Sequence, residues 1–170
     1  VASVEGLTLS LVKKLRVTDA VNVLDIPTVM GRFVEKGVID CHAADRVVNT
    51  QFRSYEFVPR VAAYLLKNKD VTSEQRRIAD FQDAPQAVWW IDNFGNCKTT
   101  LLEEDISGVA EVETKFGSIP YFKRLADVPS GERAIVTGSS GIGDKRFLEI
   151  VVQGGSAAET LGISSGDSVC

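Results

Sequence analysis

Metal-binding and disulfide chemistry have little to work with in this chain. Its three cysteines, Cys41, Cys97 and Cys170, are odd in number and widely spaced, which suits neither a disulfide framework nor a zinc site. The single histidine, His42, lies beside Cys41 and near Asp45, short of the three or four ligands a metal requires. No metal site is expected; the thiols are read as reduced, and His42 as a partly exposed loop or helix residue. No apolar run approaches the roughly 20 residues of a membrane span, and the N-terminus lacks the basic-then-apolar pattern of a signal peptide. A formal charge of -4 without any run of Lys or Arg removes the electrostatic footprint of a nucleic-acid or anionic-membrane binder. Small molecules are the expected partners and the cytoplasm the expected location.

What is present is an ordinary globular composition, 44% hydrophobic, enough for one domain or two small ones. Residues 21–24 read as a strand closed by Asp25 and Pro27, 28–36 as a short helix ending at Gly37, and 57–67 as a helix with Pro59 in its first turn. Residues 6–15 fit strand or helix equally. The stretch 50–56 reads as a loop feeding a helix N-terminus, where backbone N–H groups suit an anion. Residues 68–85 turn polar and charged, with Thr72 or Ser73 able to cap a short helix, and a domain boundary is expected there. Beyond it 88–91, 98–102, 134–137 and 147–152 are short apolar or alternating strands, the pattern of a small β-barrel or sandwich.

Two stretches carry more than fold. Residues 89–102, WWIDNFGNCKTTLL, read as a β-hairpin whose turn is loaded: Asp92 is an anionic acceptor, Phe94 a flat π face, Gly95 allows close backbone approach, and Asn96 offers a paired donor and acceptor. Such a set could hold a flat heterocycle beside a cation; the plainer reading is turn chemistry with Phe94 in the core. Residues 134–143, AIVTGSSGIG, imitate the glycine-rich turn of a dinucleotide-binding fold. Only Ser139 and Ser140 separate Gly138 from Gly141, no helix is expected next, and too little chain remains for further βαβ units.

The segment IDNFGN followed by Thr99 and Thr100 resembles the signature of the S-adenosyl-L-methionine hydroxide adenosyltransferase family, which includes the fluorinases and chlorinases. Ser139, Ser140 and Gly141, then 147–152 (FLEIVV), 155–158 (GSAA) and 161–169 (LGISSGDSV) resemble that family's closing motif in the same order. The resemblance implies an α+β protein: the second half of an α/β N-terminal domain over 1–86, then a small all-β barrel over 87–170. Glu5 to Thr8 resemble an element midway through the family's N-terminal domain. Val1 is not an initiator methionine and the C-terminal turn should feed one more strand, so a fragment is expected.

The function implied is attack of a nucleophile on the ribose C5′ of S-adenosylmethionine, with release of L-methionine and, for water, adenosine. S-adenosylmethionine would be the substrate and no separate cofactor is implied. By resemblance Asp92 would meet the methionine ammonium, Phe94 would pack on the purine, Asn96 would bond adenine edges, Ser139 would contact the methionyl end, and backbone near Gln153 and Gly154 would read adenine. Arg53 stands where hydroxide-using members have His, and Ser54 where halide-using members have Ser. An arginine, permanently cationic, is no general base. Ser140 replaces a carboxylate-binding Arg of the halogenases, and residues 143–146 look like an insertion. The catalytic residues therefore stay unassigned. A homotrimer with sites between adjacent chains is implied. The alternative is a noncatalytic nucleoside-binding or trimerisation module of the same descent.

Overall fold

The computed structural model describes residues 4–67, 69–106 and 108–170. The chain divides into two compact units, residues 1–82 and 83–170.

The first unit is mostly helical. Its elements are α1 (Ser10–Lys14), β1 (Ala20–Val23), α2 (Ile26–Glu35), α3 (Cys41–Asn49), α4 (Arg53–Glu56), α5 (Val58–Leu65) and β2 (Glu74–Arg77). Local chemistry starts the two longest helices. Asp25 caps α2 by accepting from Thr28 N at 2.9 Å, with Pro27 in the first turn, and Asp40 caps α3 by accepting from Ala43 N at 2.7 Å. Val29, Met30 and Phe33 of α2 bury one stripe against Val47 of α3 and against Phe57, Val61 and Tyr64 along α5. Each such side chain removed from water contributes about 1.5–3 kcal/mol.

Two expectations fail in this unit. Residues 72–77 form no capped helix: Glu74–Arg77 is a strand paired antiparallel with Ala20–Val23, followed by a single 3₁₀ turn, Ile78–Asp80. Four polar residues with good helical propensity become a strand because a partner edge takes up their backbone groups. Residues 53–56 are likewise not loop but a helical turn, in which Glu56 N and Phe57 N already donate to Phe52 O and Arg53 O. The undecided stretch near the N-terminus is the short helix α1.

The second unit holds β3 (Val88–Ile91), β4 (Cys97–Leu102), β5 (Glu111–Thr114), β6 (Gly117–Phe122), β7 (Arg133–Ile142), β8 (Lys145–Val152) and the one-and-a-half-turn helix α6 (Ala157–Leu161). The strands form one six-stranded sheet in the order β3-β4-β8-β7-β6-β5, antiparallel except where β6 runs parallel to β7. Residues 166–169 run beside β3, where Val88 N donates to Asp167 O at 2.8 Å, and reach the β5–β6 turn, where Lys115 N donates to Val169 O at 2.9 Å. The protein is thus mixed α+β. One face of the sheet buries Val88, Leu101, Ile119, Ile135, Leu148 and Ile150; Ala134, Val136 and Val151 pack on the other.

The glycine-rich decoy resolves within this sheet. β7 runs on through Gly138 to Ile142 and turns directly into β8, so no helix N-terminus follows the glycines. Gly141 sits where a β-carbon would meet Lys145 O at 2.1 Å, a requirement of the hairpin and not of a phosphate.

Among the described residues no helix is long and apolar enough to cross a membrane, and no three His, Cys, Asp or Glu side chains are grouped as metal ligands would be. His42 is exposed on α3.

Candidate functional site

The turn between β3 and β4 is built on one carboxylate. Gly95 N donates to Asp92 O at 3.0 Å to close a β-turn, and Gly95 takes φ +80°, a conformation L side chains resist. Asp92 Oδ1 then accepts from Phe94 N at 2.9 Å and from Asn96 N at 3.0 Å, and Oδ2 accepts from Asn96 Nδ2 at 3.2 Å. Burial by itself would raise the Asp92 carboxyl; the hydrogen bonds from Asn96 and Phe94, with the charge of Lys98, outweigh it and hold its pKa below 3.8. The carboxylate is therefore ionised and largely committed to the turn itself.

With the Phe94, Gly95 and Asn96 amides bonded within it, the turn can carry an apolar ring into solvent. Phe94 is 78% exposed, so it is a surface aromatic and not a core residue. The turn is also pinned from outside. Gly95 O accepts from Ala158 N at 3.0 Å, and Ser156, which caps α6 through Glu159 N at 3.2 Å, lies directly over the Gly95 α-carbon. Two motifs far apart in sequence, IDNFGN and GSAA, thereby form one docked unit.

Beneath the turn lies an ion pair that sequence reasoning missed. Lys98 and Glu149 face each other across β4 and β8, Nζ to Oε1 at 2.6 Å, with side chains only 14% and 9% exposed. Lys98 Nζ also stands 3.7 Å from Asp92 Oδ2, and Glu149 Oε1 accepts from Ser139 N at 3.2 Å. Gly138 makes this possible: a β-carbon there would meet Glu149 Oε1 at 2.2 Å. The signal was available in FLEIVV, where a lone glutamate interrupts an apolar strand; a buried charge in such a place requires a partner.

Cys97, fully buried beside these groups, has its thiol pushed up to about 11, by burial first and then by the negative charges of Asp92 and Asp167. Ser139 is exposed, and its carbonyl accepts from Arg146 Nη1 at 3.0 Å. A depression of about 410 Å³ is lined by Leu102, Glu103, Thr137, Lys145 and Arg146 among others, but not by Asp92, Phe94, Asn96 or Ser139.

The residues singled out from sequence fall into three groups. Asp92, Phe94 and Asn96 share one turn, and Ser139 is linked to it through Glu149 and Lys98. Gly154 is an exposed turn glycine at φ +80°, with no neighbour where a β-carbon would stand. Its neighbour Gln153 donates its N–H to Glu132 O at 3.0 Å and accepts from Gly131 N at 2.8 Å, so its N–H is already committed. Arg53 and Ser54 belong to the first unit, both exposed on α4.

Residues 86–170, half of the chain, match the family of the SAM hydroxide adenosyltransferase C-terminal domain. The chain belongs to this family. An (R)-S-adenosyl-L-methionine hydrolase of Thermus thermophilus is 37% identical over 79 residues, 46% of this chain. The match spans only 28% of that hydrolase's length. Among solved structures, an uncharacterized conserved protein from Thermotoga maritima superposes with a TM-score of 0.52 at 23% identity, covering 72% of this chain and 54% of that one, a likeness of fold. A conserved hypothetical protein from Thermus thermophilus aligns with a TM-score of 0.40 at 28% identity over 57% and 43% of the two chains, below the level at which a shared fold follows. The adenosyltransferase-family match covers the turn, the ion pair and α6 together.

Proposed function

We propose that residues 87–170 supply the nucleoside side of an S-adenosylmethionine site, in a protein whose whole form cleaves the substrate at ribose C5′. The observation that carries this reading is the Phe94 ring, held out at 78% exposure by a turn whose Phe94, Gly95 and Asn96 amides are bonded within it. A ring so presented is a platform for a flat heterocycle, and the amide of Asn96 lies in the same turn to bond its edge. In the reaction a nucleophile oxygen bonds to C5′ as the C5′–S bond breaks; the electron pair goes to sulfur, leaving neutral L-methionine thioether, and the attacking water loses a proton. The sulfonium is an excellent leaving group, so the protein's contribution is alignment of nucleophile and carbon and partial removal of water. S-adenosylmethionine is the substrate in this reading, with no further cofactor, and a neighbouring chain of a homotrimer completes the site. By the family resemblance Arg53 and Ser54 are the candidates for contact with the nucleophile.

A second reading, a noncatalytic nucleoside-binding or trimerisation module, is favoured by one feature. Arg53, exposed on α4, cannot take a proton from water. Calorimetry with adenosine and with S-adenosylmethionine tests the shared part of both readings. Binding that falls by about 1–3 kcal/mol in Asn96→Ala supports the site. Equal affinity of wild type and variant removes Asn96 from it, and no binding by wild type removes the reading. Chromatography of S-adenosylmethionine incubations, with and without chloride, separates enzyme from module by the release of adenosine or 5′-chloro-adenosine.

A further inference from the structure

We propose that Lys98 and Glu149 are a positioning pair that couples the Asp92–Asn96 turn to the Ser139 strand, so that the two parts of the candidate nucleoside site move as one. The contacts form an unbroken chain: Asn96 Nδ2 to Asp92 Oδ2 at 3.2 Å, Asp92 Oδ2 to Lys98 Nζ at 3.7 Å, Lys98 Nζ to Glu149 Oε1 at 2.6 Å, and Ser139 N to Glu149 Oε1 at 3.2 Å. Three features distinguish this from an incidental surface ion pair. Both charged side chains are mostly shielded, so solvent does little to screen them. Residue 138 is the one kind that leaves room for the Glu149 carboxylate, since any β-carbon would clash with Oε1, Cγ and Cδ at 2.2–2.6 Å. A single oxygen, Oε1, receives both Lys98 and the Ser139 amide, so displacement of the ammonium is felt directly at the strand that bears Ser139.

The pair touches no reacting atom and is assigned no catalytic role. It fixes where Asp92 can stand, and through the two amides on Oδ1 it fixes the path of the backbone that presents Phe94. A cross-strand pair in β4 and β8 also sits on the rigid part of the unit, which is where a positioning group is most effective.

The inference rests on the nucleoside-site reading for its binding consequence but not for its structural one, and the test has an arm for each. Lys98→Met alone strands the Glu149 charge and can fail to fold, so the informative variant is Lys98→Met with Glu149→Gln, which removes both charges and keeps an acceptor for Ser139 N; Lys98→Arg is the conservative control. By NMR hydrogen exchange, the double variant is expected to exchange the Phe94 and Asn96 amides about tenfold faster while core amides such as Ile135 and Ile150 stay protected. Lys98→Arg should restore wild-type exchange. By calorimetry with adenosine, the double variant should lose about tenfold in affinity, about 1.4 kcal/mol, and Lys98→Arg should recover it. Unchanged exchange at Phe94 and Asn96 overturns the coupling whatever binds. Altered exchange with wild-type adenosine affinity overturns the link to the ligand. If wild type itself binds no adenosine, the nucleoside-site reading fails, and the exchange arm alone decides the coupling.

Discussion

A β-carbon on Gly95 would stand 2.1 Å from Ser156 Oγ and 2.9 Å from the Ser156 α-carbon. The turn and the cap of α6 are therefore in backbone-to-backbone contact, and a side chain at residue 95 cannot be absorbed by one rotamer change. Gly154 shares the same positive φ, +80°, but has nothing within 4 Å of where a β-carbon would stand. The two glycines separate conformational strain from steric exclusion. Gly154→Ala should cost about 1–2 kcal/mol, the left-handed penalty alone. Gly95→Ala should cost about 2–4 kcal/mol, since overpacking adds to it. Urea denaturation of the two variants checks the difference; equal losses would mean that α6 gives way freely.

The charge on Asp92 makes the turn acid-sensitive. Its folded pKa lies below the unfolded one, so its contribution is fully present above about pH 4 and is lost as pH falls through the folded value. Asp92→Asn should be about 1–3 kcal/mol less stable at pH 7, because an amide at residue 92 would turn a donor toward Asn96 Nδ2 or Lys98 Nζ. That gap should narrow steadily below pH 4 as the wild-type carboxylate protonates. Stability measured from pH 7 to pH 2 for both proteins checks the sign; a gap that stays constant would mean that the charge is immaterial and only the shape of residue 92 counts.

Thiol reactivity should sort by burial. Cys41 and Cys170 are exposed, whereas Cys97 is fully buried with its thiol raised to about 11. At pH 7.5 a maleimide or disulfide reagent should modify two thiols in the folded protein and the third only after denaturation. Peptide mass mapping identifies the slow site. Rapid labelling of Cys97 would show that the β3–β4 hairpin opens far more often than its packing implies.

How much of this was legible beforehand depended on whether local chemistry or a distant partner decides the structure. The β3–β4 hairpin could be read because an Asp-x-x-Gly turn is settled by neighbours in sequence; α6 and its Ser156 cap were not foreseen. Glu74–Arg77 could not, since four exposed polar residues become a strand only when β1 is beside them. β5 and β6 escaped notice for a similar reason: short alternating stretches such as EVET gain their meaning from the register Val112 to Ile119. In the site, Asp92, Phe94 and Asn96 announced themselves as one turn. Lys98 and Glu149 did not, because a cross-strand pair 51 residues apart in sequence has no local signature beyond a charge in an apolar run.

Phe94 offers the sharpest separation of ligand role from structural role. At 78% exposure its ring buries little on folding, and its backbone N–H, which Asp92 holds, survives any substitution. Phe94→Ala should therefore leave the unfolding midpoint nearly unchanged, within about 0.5 kcal/mol. If the ring is the platform for adenine, the same change should remove about 1–3 kcal/mol of adenosine binding, the range for loss of one aromatic stacking partner. Phe94→Trp should retain binding, since it offers a larger face at the same place. Denaturation and calorimetry on one set of samples read both quantities. Loss of stability in Phe94→Ala would mark the ring as part of an interface or packing surface. Unchanged binding, with stability intact, would place the purine elsewhere in the unit.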